Sequence, residues 1–313
     1  MSRFSFIGRR LLQTIPLLAA ILFVVFVLVR LAPGNPARAQ LGLNATPARV
    51  AALNREFGLD QPLLEGYFSY LGKALHGDLG HSVRAQVPVA KIIAQRIGVT
   101  LWLLVGALLV SLAVSVPLAT VSALRRDRAV DHTIRTASVL GLSIPTFWLG
   151  LVLVSFVALP SGLFPVSGFG HGFGGHLHSI VLPALVLAMG IAPIQIRALR
   201  VSLIGVLECD YIAAARALGL SERRVLARHV LPNALSASLT LLAAQVGVIL
   251  FGEVIVENVF ALPGLGQAMV QAVIQRDYPV VQGLTLVAAL LVVAANLVVD
   301  VLYAALDPRV ELR

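Results

Sequence analysis

From Leu101 to Leu118 the chain carries no charged residue and is apolar on every face a helix would present. An α-helix rises about 1.5 Å per residue, so about 20 such residues cross a hydrocarbon core of roughly 30 Å. A transmembrane barrel does not fit, because its strands of about 10 residues alternate polar and apolar side chains. Comparable runs recur at about 11–31, 98–123, 136–159, 179–199, 235–256 and 281–306, and together they predict an all-α polytopic membrane protein with about six transmembrane helices. Composition agrees: 58% of the residues are hydrophobic and 12% charged, against roughly 45–50% and 25% in soluble domains. An ordinary soluble enzyme is therefore excluded.

The formal net charge of +9 is almost entirely arginine, since Lys73 and Lys91 are the only lysines. In a membrane chain such a balance reads first as topology, because cytoplasmic loops collect basic residues. With the N-terminus inside, the inner segments hold Arg3, Arg9 and Arg10, then Arg125 to Arg135, then Arg197 to Arg228, then Arg309 and Arg313. The outer loop at 160–178 holds none, the outer loop at 257–280 holds only Arg276, and 32–97 is long enough to be translocated whatever its charge. Both termini are expected to be cytoplasmic. No basic patch is interleaved with aromatic residues, so nucleic-acid binding is not expected. The single cysteine, Cys209, cannot form an intrachain disulfide. Ala37-Arg38-Ala39 resembles a signal-cleavage site, but the preceding run is longer than the usual hydrophobic region of about 7–15 residues and ends in Arg30, which can snorkel to the interface. The first helix is expected to stay attached.

The organisation that follows is an N-terminal tail and first helix at 1–32, an extracytoplasmic segment at 33–97, and a core at 98–313 with five helices and a cytoplasmic loop at about 200–234. In the outer segment Thr46 is a candidate N-cap ahead of Pro47, and Val50, Leu53 and Phe57 form one stripe before Gly58. A second amphipathic helix is expected from near Pro62, lining up Leu64, Tyr67, Phe68, Leu71 and Leu75 and stopping at Gly77. These helices serve either as a cap on the bundle or as a docking face for an outside partner. The Gly-rich stretch Ser167 to His178 contains His171, His176 and His178. Imidazoles can ligate metal, but no carboxylate or cysteine accompanies them, and a solvated loop is expected.

Catalytic signatures are absent. The only Gly-Lys pair, Gly72-Lys73, is followed by Ala74, so there is no P-loop, and HExxH, GxSxG and CxxC are missing too. Acidic residues inside spans are few: Glu253 and Glu257 at i, i+4, and Asp300 four residues after Asn296. Carboxylates in a membrane are functional candidates by default. Hydrogen bonding between helices is expected here, with a substrate or proton path as the alternative.

The inner loop between the fourth and fifth spans carries the strongest pattern. Asp210 can accept backbone N–H bonds at a helix start, 211–218 are good helix formers, and Gly219 supplies a left-handed stop. Ser221 and Glu222 open a second helix whose limit is expected near Pro232. Ala213, Ala214 and Ala215 leave the first helix thin enough for close approach to a partner, and arginines such as Arg216 can pair with partner carboxylates.

At these residues the chain resembles the membrane subunits of ABC importers, whose loop motif reads EAA, three residues, Gly, nine residues, then I-x-L-P. Ala213-Ala214-Ala215, Gly219 and Leu231-Pro232 fall at those spacings, while Ala213 replaces the Glu and His229 the Ile. Within that family it is similar to the dipeptide/oligopeptide/nickel branch. The resemblance runs through Pro33-Gly34-Asn35-Pro36, His76-Gly77-Asp78-Leu79-Gly80, Asp210-Tyr211, Pro263-Gly264-Leu265-Gly266, Arg276 to Gly283, and Asn296 to Asp300. It implies a non-catalytic permease of a bacterial cytoplasmic membrane, importing peptides or a similar solute, with nickel complexes and haem within the family's range. It implies as partners a second related permease, two ATPase subunits that hold ATP and Mg, and an extracytoplasmic substrate-binding protein, with no cofactor in this chain. The implied coupling residues are Asp210, Tyr211, Ala213, Ala214, Ala215, Arg216, Gly219, Leu231 and Pro232, on a loop helix that moves with the ATPases during alternating access. The rival is an ion-coupled secondary transporter needing no ATPase; it requires a driving-ion site near the midplane, where Glu253 is the acidic residue available.

Overall fold

A computed structural model describes residues 3–31, 36–42, 45–56 and 60–306. Those residues are mostly helical, without a β-strand and with one isolated antiparallel bridge from His81 to Pro88. In chain order the helices are α1 (Arg3–Leu31), α2 (Pro36–Leu41), α3 (Pro47–Glu56), α4 (Leu63–Leu75), α5 (Val89–Leu124), α6 (Ala129–Leu142) and α7 (Thr146–Leu153), the last prolonged by a π turn at Val154–Ala158 into α8 (Leu159–Ser161). Then come α9 (Gly172–Leu207), α10 (Asp210–Ala217) and α11 (Glu222–Val225), which runs through a π turn at Leu226–Val230 into α12 (Leu231–Val259), followed by α13 (Leu265–Gln275) and α14 (Tyr278–Leu306).

Among the described residues four helical stretches are long and apolar enough to cross a membrane, Thr14–Leu31, Val89–Leu124, Gly172–Leu207 and Tyr278–Val298, and a fifth arises if the bent pair α6 and α7–α8 is one span. The uninterrupted span expected at 136–159 is thus corrected to two helices meeting at 98°. The break falls at Ser143-Ile144-Pro145, where the proline lacks an amide proton and pushes the residue before it out of helical geometry. The run expected at 235–256 lies within the 29-residue α12.

The chain divides into two compact units. One comprises Met1–Thr100 with Pro263–Ala294. Its first cluster packs Leu22 and Phe26 of α1 on Tyr67 of α4, whose hydroxyl donates to the Ala19 carbonyl at 2.6 Å. The stripe expected on α4 is therefore divided, since Tyr67 is buried while Leu64, Phe68 and Leu75 are exposed. The expected cap at Thr46 forms, its hydroxyl accepting the Arg49 amide at 3.4 Å. A second cluster joins Val89 and Ile93 of α5 to Leu265, Ala268 and Ala272 of α13 and Val280 and Leu284 of α14. Gly283 lets these helices close up, because a Cβ there would lie 2.6 Å from a Val89 methyl. Buried Asp277 accepts hydrogen bonds from the Ser82 hydroxyl at 2.5 Å and the Arg84 amide at 3.4 Å, fixing the segment between α4 and α5 to the α13–α14 turn. Of the stretches quoted for the resemblance, Pro33-Gly34-Asn35 lies outside the described residues, as do Phe57 and Gly58 of the expected outer stripe and the terminal Arg309 and Arg313.

The other unit comprises Leu101–Leu262 with Ala295–Leu312. Here α9 is the central helix, packed on α6, α7 and α12. The Gly-rich stretch is corrected from a solvated loop: α9 begins at Gly172, so His176 and His178 are helical. His176 stacks on Phe169 at 4.2 Å between ring centroids and meets Trp102 edge-on, and a ring nitrogen of His178 bonds the Leu163 carbonyl. Among the described residues no cluster of three metal-ligating side chains occurs.

Candidate functional site

The loop after α9 turns at Glu208 and Cys209, and extended backbone at Cys209, ψ 141°, releases the chain into α10. Cys209 is the N-cap and makes no side-chain cap bond, so the expected capping role of Asp210 is corrected. Asp210 is the first helical residue, where its charge favours the positive end of the helix dipole. At the other end the Gly219 amide donates to the Arg216 carbonyl at 2.9 Å and the Leu220 amide to the Ala215 carbonyl at 3.3 Å, with Gly219 at φ +81°. That is the Schellman arrangement, and it needs the left-handed residue that sequence placed at Gly219.

Burial separates the two faces of α10. Ile212 and Ala215 are 0% and 8% exposed and sit on Leu199 and Leu203 of α9, Ala119 and Ala123 of α5, and Val225, Val230 and Ala234. Tyr211, Ala213, Ala214, Arg216 and Ala217 face outward, and Leu218 is 83% exposed. The outer face is a low ridge of methyl groups with Tyr211 near one end and Leu218 at the other. Ala215 and half-buried Leu231 belong to the packing beneath the ridge, while Pro232 is exposed on α12. Arg216, expected to be held for a partner, is engaged within the chain: its guanidinium grips the Glu222 carboxylate at 2.8 and 3.2 Å, tying α10 to α11. The helix limit expected at Pro232 is absent. The π turn at 226–230 lies directly upstream, where its wider register takes up the bond a proline cannot donate, and the helix continues.

A clasp that sequence reasoning missed supports this loop. Asp131 of α6, 0% exposed, receives the Arg200 guanidinium of α9 in bidentate fashion, at 2.8 Å from Nε and 2.5 Å from a terminal nitrogen. It also accepts the Ser122 hydroxyl of α5 at 2.5 Å and the Asp127 amide at 3.0 Å. Beside it Arg126 reaches Glu208 at 2.6 Å, linking the α5–α6 turn to the chain just before α10. The legible hint was an acidic residue, Asp131, in the first turn of a helix within an arginine-rich segment.

Inside the helical pair α9–α12, buried Gln245 donates to buried Gln195 at 3.3 Å. The helix-to-helix bond expected of Glu253 does not form: both its carboxylate oxygens are buried without a hydrogen-bond partner among the described residues. The Asp300 side chain lies outside those residues.

Residues 115–312 match the family described as binding-protein-dependent transport system inner membrane component, and residues 1–104 match its N-terminal companion. The chain belongs to this family of transporter permeases. The oligopeptide transport system permease protein AppB of Bacillus subtilis (strain 168) is 37% identical to this permease over 313 residues, covering 98% of this chain and 99% of that one. A putative peptide transport system permease of Brucella abortus (strain 2308) is 37% identical over 310 residues, and the glutathione transport system permease GsiC of Escherichia coli (strain K12) 36% over 307, each covering 98% of this chain and 99% of its own. A subunit of the inward-facing MetNI methionine ABC transporter superposes with a TM-score of 0.58 at 18% identity, over 69% of this permease and 96% of that chain, which establishes a common fold. The protein is a permease subunit of an ATP-driven importer, a multi-pass membrane component and not itself a catalyst.

Proposed function

We propose that this permease imports a peptide-sized solute and is driven through the ridge of α10. The relatives named for oligopeptide, peptide and glutathione transport support that substrate class. Asp210, Tyr211, Ala213, Ala214 and Arg216 form the docking face, Gly219 sets its end, and Ala215, Leu231 and Pro232 carry the displacement into the membrane helices. The single observation behind this reading is that α10 is held at both ends and along its inner face while its outer face is left thin and exposed. Such a helix transmits a push from a groove without bending.

The proposed assembly, which membership of the family supports, adds a second related permease, two ATPase subunits that bind ATP and Mg, and an extracytoplasmic binding protein. The proposed topology has six spans in a bacterial inner membrane with both termini in the cytoplasm. The proposed division is a first helix at 1–32, an outer segment at 33–97 and a core at 98–313. Uptake into proteoliposomes, with and without the ATPase subunits, tests the reading. ATP-dependent uptake that is lost without them is expected, and accumulation driven by an ion gradient through this chain alone would favour the secondary-transporter reading.

A further inference from the structure

The groove between α6 and α9, about 800 Å³ in volume, changes character along its length. At one end is the Asp131–Arg200 clasp. One helical turn further along each helix, Arg135 of α6 and Arg197 of α9 both line the groove, both are exposed, and neither pairs with a carboxylate among the described residues. Another turn on, the walls are Val139 and Leu142 facing Pro193 and Ile194. Antiparallel packing sets this order: Asp131 meets Arg200 at one end, and a Cβ on Gly141 would lie 3.7 Å from Pro193 at the other. The groove therefore passes from a neutralised ion pair, through two uncompensated cations, to hydrocarbon.

We propose that this groove holds an anionic phospholipid, with the phosphate between Arg135 and Arg197 and an acyl chain along Val139, Leu142 and Ile194. Charge selects the headgroup. Arg126, Arg135, Arg197 and Arg200 line the groove against Asp127 and Asp131, so two positive charges lack a counter-ion within it. Guanidinium groups bind phosphate oxygens through paired N–H donors, and basic pockets between membrane helices suit lipid headgroups. The apolar end selects a lipid over a free phosphate, since a soluble anion leaves Val139, 63% exposed, and Leu142, 48% exposed, uncovered.

The inference needs only the membrane-embedded reading of the chain, and lipid retention is measured without ATP, so its failure leaves the coupling proposal intact. The test is native mass spectrometry of the full chain, alone and with its second permease, released from nanodiscs of phosphatidylglycerol and phosphatidylcholine. Retained phosphatidylglycerol is expected, resistant to competition by inorganic phosphate. Each basic residue near a membrane surface contributes about fivefold, so the double variant Arg135→Gln/Arg197→Gln should bind about 30-fold more weakly with an unchanged melting temperature. The control Arg223→Gln/Arg224→Gln removes equal charge outside the groove and should retain the lipid. Equal retention of phosphatidylcholine, equal loss in the control, or full retention by the double variant would overturn the proposal. So would lipid held by the isolated chain but expelled on assembly, which assigns the groove to the second permease.

Discussion

A carboxylate shut away from solvent must be compensated at its lone pairs, and Asp131 is served by Arg200, Ser122 and the Asp127 amide. Removing one partner of such a pair leaves the other charged and poorly solvated, at a cost of about 3–5 kcal/mol. Asp131→Ala should therefore lower the unfolding midpoint in detergent sharply. Arg200→Met in the same chain should restore part of the loss, because the stranded charge goes with it. Additive losses in the double variant would show that the two side chains act independently. Glu253 poses the opposite case, since its buried carboxylate oxygens find no partner. Glu253→Gln keeps the shape and removes the ionisable group, so assembly and uptake should both survive. Normal assembly with abolished uptake would demonstrate a role for that carboxyl group in transport.

On α10 neighbouring alanines have opposite environments, and substitution separates docking from folding. Ala214 is exposed and Ala215 is 8% exposed beneath it. Ala214→Trp should leave the melting midpoint unchanged while reducing ATPase co-purification and substrate-stimulated hydrolysis. Ala215→Leu should instead destabilise the unit by about 1–3 kcal/mol through overpacking. Gly219→Ala tests the end of the helix. No atom lies within 4 Å of an added Cβ there, so only the φ of +81° is penalised, at about 1 kcal/mol. Normal docking and hydrolysis in both Ala214→Trp and Gly219→Ala would remove α10 from the coupling step. The extent of α10 and its stop were legible in sequence, because helix propensity and a C-terminal glycine are local properties. Its inner and outer faces were not, because burial of Ile212 and Ala215 depends on how α10 folds back on Leu199 and Leu203 of α9 and on Ala119 and Ala123 of α5, about ninety residues earlier in sequence. The Asp131–Arg200 pair was hidden for the same reason. The break at Pro145 carried a readable sign, yet apolarity on both sides of it made 136–159 look continuous.

For the whole molecule, apolar runs and arginine placement were enough to read the membrane class, since both follow from lipid thickness and charge and not from packing. The topology they imply is open to direct measurement. A protease-sensitive tag at the C-terminus should resist digestion in right-side-out vesicles and be cleaved in inverted ones. Cleavage from the outside would reverse the inner and outer assignment of every loop. What no periodicity foretold is the π turn at 226–230, which lets the chain run helically from Glu222 to Val259 across Pro232. At 1.5 Å per residue this rod is about 57 Å long, and a tilt of roughly 5° at one end sweeps the other through about 5 Å, close to one helical pitch. Amplitude then comes from length in place of softness: an angular movement small enough to leave side chains interdigitated at the pivot becomes, at the far tip, a stroke wide enough to admit or exclude a side chain.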